Sequence, residues 1–120
     1  MELYILLDGL LEDERPENTA KKLMTALSDW LDEADGDLSL VDQRSELLED
    51  WQIGLALNCR RKAELKAPLL FLSDWAKKAE KEFVIGLYAS NGDREDVCYF
   101  GFEEGRPDVN EIAMYIGLNK

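Results

Sequence analysis

The chain has 120 residues, and 26 Asp plus Glu against 14 Lys plus Arg give it a formal charge of -12. Its 46% hydrophobic content can bury the core of a single α+β domain over residues 1–120, which excludes disorder as the meaning of the acidity. Histidine is absent and Cys59 and Cys98 form no CxxC, so the commonest general base, the commonest metal ligand and a disulfide framework are excluded, and no cofactor is expected.

The apolar run Leu3 to Leu7 predicts the first strand. The start Met-Glu-Leu-Tyr has an acid where a secretory signal needs bases, and no apolar run reaches the roughly 18 residues of a membrane span. A soluble, cytoplasmic protein with no membrane partner is expected. Ala20, Leu23, Leu27, Trp30, Leu31 and Ala34 recur at steps of three and four, behind Pro16 and ahead of Gly36, which predicts a helix between them. Leu38 and Leu40 then mark a second strand, and Trp51 to Leu57 alternates as a third. Leu65, Leu69, Leu72, Trp75, Ala76 and Ala79 predict a second helix, with Pro68 near its start. Phe83 to Ala89, the turn Ser90-Asn91-Gly92-Asp93 and Asp96 to Phe102 read as a hairpin. A short terminal helix follows, because Asp108 and Glu111 have capping-box spacing and Ile112, Tyr115 and Ile116 share one side.

The strongest organisational signal is a repeat. Leu27-Ser28-Asp29-Trp30 recurs 45 residues later as Leu72-Ser73-Asp74-Trp75, and the same shift lays Leu38 and Leu40 onto Phe83 and Ile85. Each copy therefore reads as βαβ. The expected fold is a ferredoxin-like βαββαβ core with an added C-terminal hairpin strand and a terminal helix. Trp30 and Trp75 are expected to be largely buried on one side of the sheet.

Charge is uneven: residues 1–50 hold 15 acids and 4 bases, whereas residues 51–120 hold 11 acids and 10 bases. The acids form three expected loops: Glu12, Asp13 and Glu14 with Glu17; Asp32, Glu33, Asp35 and Asp37; and Asp42, Glu46, Glu49 and Asp50. Acids at a helix C-terminus oppose the macrodipole at about 0.3–1 kcal/mol each, which points to a use other than stability. Such a surface steers a basic partner. The candidate contact set is Glu12, Asp13, Glu14, Asp32, Glu33, Asp35, Asp42, Glu46, Glu49 and Asp50.

Other chemistries have less support. Asp32, Asp35 and Asp37 lack the DxDxDG register of a calcium loop. Nucleic-acid binding by Arg60, Arg61, Lys62 and Lys66, with Lys77, Lys78 and Lys81, would have to overcome the net charge. These bases read instead as a balanced helix face, with Lys77 and Lys81 paired to Asp74 and Glu80. The cysteines read as core or strand residues, although the bases after Cys59 could activate an exposed thiol. No catalytic set stands out. Leu70 and Phe71 fall off the helical core stripe.

The segment Tyr99-Phe100-Gly101-Phe102-Glu103-Glu104-Gly105-Arg106-Pro107-Asp108, followed by Asn110 to Leu118, in a small acidic chain without histidine, resembles the immunity proteins of bacterial toxin systems, including contact-dependent inhibition. That resemblance implies a cognate toxin domain, often a nuclease with a basic cleft, held inactive by an acidic surface. A second resemblance is to ACT-type regulatory domains, whose Asp-Arg-Pro-Gly entry to the first helix is similar to Glu14-Arg15-Pro16-Glu17, with Glu17 in the place of the glycine. It implies a small-molecule or metal sensor, with a pocket beside Asp8-Gly9 and the Arg15-Pro16 turn.

Overall fold

The computed structural model describes residues 1–34, 36–45 and 50–118. Among them, five strands and three α-helices form a mixed α+β fold: β1 (Glu2–Asp8), α1 (Pro16–Glu33), β2 (Leu38–Ser45), β3 (Asp50–Asn58), α2 (Lys66–Ala79), β4 (Glu82–Tyr88), β5 (Arg94–Gly101) and α3 (Val109–Ile116). Short 3-10 turns at Leu10–Glu12 and Lys62–Leu65 lead towards α1 and α2. The strands make one antiparallel sheet in the order β2-β3-β1-β4-β5.

Central β1 is buried on both faces, which is why it reads as an unbroken apolar run rather than an alternating one. Leu3, Ile5 and Leu7 join Ile53, Leu55, Leu57, Phe83 and Ile85 against Leu23 and Leu27 of α1 and Leu69, Leu72 and Ala76 of α2. Ile112 and Ile116 of α3 complete this core. Tyr4 and Leu6 point the other way and cluster with Val41 and Val84. The Tyr4 hydroxyl donates to Asp96, and the Arg94 guanidinium lies 5.4 Å from its ring centroid. Gly86 is required beneath that ring, because a Cβ there would run into the Tyr4 side chain.

The repeat survives as packing, with unequal outcomes. Leu27 and Leu72 are both fully buried. Trp30 and Trp75 pack on the same core but are half-buried rather than largely buried: Trp30 stacks on Phe71 at 5.1 Å, and Trp75 meets Phe83 edge-on at 5.9 Å. That stacking also gives Phe71 an inward role that its place off the stripe concealed. Leu38 and Leu40 are equivalent to Phe83 and Ile85 in sequence, yet Leu40 is 37% exposed while both residues of β4 are buried. The reason is position: β4 lies between β1 and β5, whereas β2 is a sheet edge.

Helix ends follow their local chemistry. Pro16 opens α1 in the first turn, where its missing N–H costs nothing. The Asp108 carboxylate caps α3 by accepting from the Glu111 N–H at 3.1 Å. The β4–β5 connection turns where the Asp93 N–H donates to the Asn91 side chain, with Gly92 in the left-handed region. Among the described residues no helix is long and apolar enough to cross a membrane.

Candidate functional site

The acids expected to act together are separated along α1, whose 18 residues span about 27 Å. Glu12 and Glu14 are exposed before its N-terminus, and Asp32 and Glu33 are exposed in its last turn. Asp42 lies inside strand β2 rather than in a loop, and Asp50 begins β3. Asp35, Glu46 and Glu49 lie outside the described residues.

At the N-terminal end Asp13, Glu17 and Asp42 are engaged by the protein itself, whereas the Glu12 and Glu14 side chains have no ion pair or hydrogen bond among the described residues. Asp13 forms an ion pair with Lys81 at 2.6 Å, and the two side chains are only 12% and 28% exposed. Asp13 also accepts from the Arg15 N–H at 2.9 Å and the Thr19 hydroxyl at 2.7 Å. The Lys81 ammonium, followed by these two donors, holds the Asp13 carboxyl far below the usual carboxylate range. Asp13 therefore fixes the entry to α1 and ties it to the start of β4. This corrects the expectation that Lys81 pairs with Glu80, and among the described residues Lys77 has no ion pair with Asp74. Nearby, Trp51 Nε1 donates to Asp42 at 2.9 Å, and Arg44 stacks 4.4 Å from the Trp51 ring centroid while reaching Glu17 at 3.3 Å. Asp42 is thus part of a small network on the sheet edge.

The C-terminal end of α1 is different. The side chains of Asp32, Glu33 and Asp37 have no hydrogen bond or ion pair to another described residue. The Asp37 carbonyl accepts from the Asn58 N–H at 3.0 Å, which anchors this turn to the end of β3. Beside it opens a cleft of about 660 Å³, within the range of ligand pockets. Trp30 and Ala34 of the α1 end, Leu38 and Leu57 of the sheet, and Ala63, Ala67 and Pro68 of the α2 entry make its apolar wall. Glu33, Asp37, Asn58, Arg61 and Glu64 supply the polar rim. The Glu64 carboxylate is engaged locally, accepting from the N–H groups of Arg60 and Arg61 at 3.1 and 3.0 Å. Sequence reading singled out Trp30 but missed the cleft; the available signal was the small residues Ala34, Ala63 and Ala67, which leave room around a large ring.

Neither cysteine has the lowered pKa that marks an activated thiol. Cys59 is buried and its thiol donates to the Arg61 carbonyl at 3.1 Å; burial, followed by the nearby Glu64 carboxylate, pushes its pKa up. Burial also raises the half-buried Cys98. Among the described residues no group of three or more Cys, Asp or Glu side chains is arranged to hold a metal ion. A second cavity, of about 230 Å³, does lie beside Asp8 and Gly9, with Glu12, Trp51, Arg94 and Asp96 in its wall. Arg15 and Pro16 do not line it, because Asp13 holds the Arg15 backbone at the start of α1. Comparison of the chain with protein-family models, curated proteins and solved structures found no match.

Proposed function

We propose that this protein is a non-enzymatic, cytoplasmic inhibitor of the immunity type, which neutralises a cognate basic toxin domain through an acidic surface. The observation that carries the reading is the set Asp32, Glu33 and Asp37: exposed carboxylates with no partner among the described residues, gathered at a helix end where they oppose the macrodipole. Surface charge kept against local stability is the signature of a contact made elsewhere. The test first asks whether an adjacent reading frame ends in a basic toxin-like domain, and then takes that domain as the partner. Association of the parent and of the Asp32→Lys, Glu33→Lys, Asp37→Lys variant is followed at low and high salt. Slower association by the variant, with a gap that narrows as salt rises, supports the proposal; equal rates with an intact fold remove the acidic end from the interface.

We also read β1 to β4 with α1 and α2 as a ferredoxin-like core, supported by the two helical crossovers and the neighbours β2-β3-β1-β4. The sheet departs from a four-stranded arrangement by β5 on its edge. A second functional reading, the ACT-like sensor, is favoured by the cavity beside Asp8 and Gly9. Thermal melts with amino acids, nucleotides, Ca²⁺ and Mg²⁺ separate the two, because a ligand at 100 times its dissociation constant adds about 2.7 kcal/mol. No shift with any of them leaves the partner protein as the reading.

A further inference from the structure

We infer that the cleft at the end of α1 receives an apolar side chain, flanked by basic residues, from the protein's partner; this rests on the partner reading above and names where that partner's anchor seats. The repeat supplies an internal control. At the end of α2, Trp75 meets Phe83, Phe83 stacks on Phe100 of β5, and α3 covers the neighbouring core. At the end of α1, the residue equivalent to Phe83 is the smaller, half-buried Leu38, and β2 has no further strand beyond it among the described residues. The first copy therefore keeps open what the second fills with its own chain, and the opening measures about 660 Å³.

Two features specify the occupant. The wall made by Trp30, Leu38, Leu57, Ala67 and Pro68 is apolar and concave, which suits an aromatic or branched aliphatic side chain rather than a hydrated group. The rim carries Glu33 and Asp37 with no local partner, next to the negative end of the α1 dipole, against Arg61 as its cation. Net negative potential around an apolar hole selects Lys or Arg on either side of the inserted group. An acidic flank would meet repulsion at that end.

The experiment titrates the full chain, labelled for nuclear magnetic resonance, with three short peptides: Arg-Trp-Arg, Glu-Trp-Glu and Arg-Gly-Arg. Arg-Trp-Arg is expected to shift the Trp30, Leu38, Leu57 and Ala67 signals and to bind at least tenfold more tightly than either of the others. The variants Ala67→Trp and, independently, Ala63→Trp fill the cleft from exposed positions and are expected to lower that affinity at least tenfold with an unchanged circular dichroism spectrum. Equal binding of Glu-Trp-Glu, shifts confined to other surfaces, or unchanged affinity in the filled variants overturns the inference. The wild-type titration alone decides the matter if both variants misfold. If the peptides fail while charge reversal still slows association with the toxin domain, the anchor site is wrong and the inhibitor reading stands.

Discussion

The two ends of α1 carry the same kind of residue in opposite circumstances. At the N-terminal end, Asp13 is bonded to Lys81, Thr19 and the Arg15 backbone, Glu17 to Arg44, and Asp42 to Trp51. At the C-terminal end, the Asp32, Glu33 and Asp37 side chains have no such partner among the described residues, and Glu33 and Asp37 border an apolar cleft. Acidity counted from the sequence treats these groups alike. The number of acids does not mark an interface; acids with no intramolecular partner, kept at a helix end that disfavours them and beside an apolar cleft, do.

Association is expected to separate the two ends most strongly. Lysine at Asp32, Glu33 and Asp37 together is expected to slow binding to the proposed basic partner at low salt by about tenfold or more. Removing the exposed Glu12 and Glu14 in the same way is expected to change the rate by less than about threefold. Stopped-flow or surface-binding rates at two ionic strengths check both, and an equal effect at the two ends would dissolve the distinction.

Stability is expected to answer in the opposite sense. Asp13→Ala removes three bonds to a shielded carboxylate and is expected to lower stability by about 1–3 kcal/mol at neutral pH, read from urea unfolding. Because the folded-state pKa of Asp13 is depressed, its contribution is complete above the unfolded value of roughly 3.9 and is lost as pH falls from there towards the folded value. The gap between the parent and Asp13→Asn is therefore expected to close in acid. A gap that held or widened below pH 4 would assign Asp13's role to something other than its charge.

Smaller effects sharpen the contrast. Asp32→Lys and Glu33→Lys, tested singly, are expected to raise stability by about 0.3–1 kcal/mol each, because a cation suits a helix C-terminus. A loss instead would mean that these acids have an intramolecular role. Last, Glu17→Gln, which breaks the exposed pair with Arg44, is expected to cost less than about 1 kcal/mol and to leave association unchanged. Thermal or urea unfolding separates this from the Asp13 effect.

Much of the fold was legible because its signals are local. The apolar run Leu3 to Leu7, the three-and-four spacing that places Leu23, Leu27 and Trp30 on one face, the Asn91-Gly92 turn and the Asp108 cap each depend on residues close in the chain. The 45-residue repeat added the equivalence of Trp30 and Trp75 on one core. Reading the acids as one functional set did not carry over, because Asp42 belongs to a strand and Asp13 to a bond that crosses from before α1 to β4.

Local pattern in the chain specifies which segments become strands and helices, and composition places the surplus of negative charge in the first half. Long-range packing makes β2 an edge and its repeat partner β4 an interior strand, which leaves Leu40 exposed and Ile85 buried. The same packing brings Asp13 to Lys81 and gathers Ala34, Ala63 and Ala67 around Trp30 as a cleft. The physical reason is range. Periodicity and capping act over one or two turns of chain and are written in neighbouring residues, whereas burial, ion pairing and cavity shape depend on what distant segments bring to the same place.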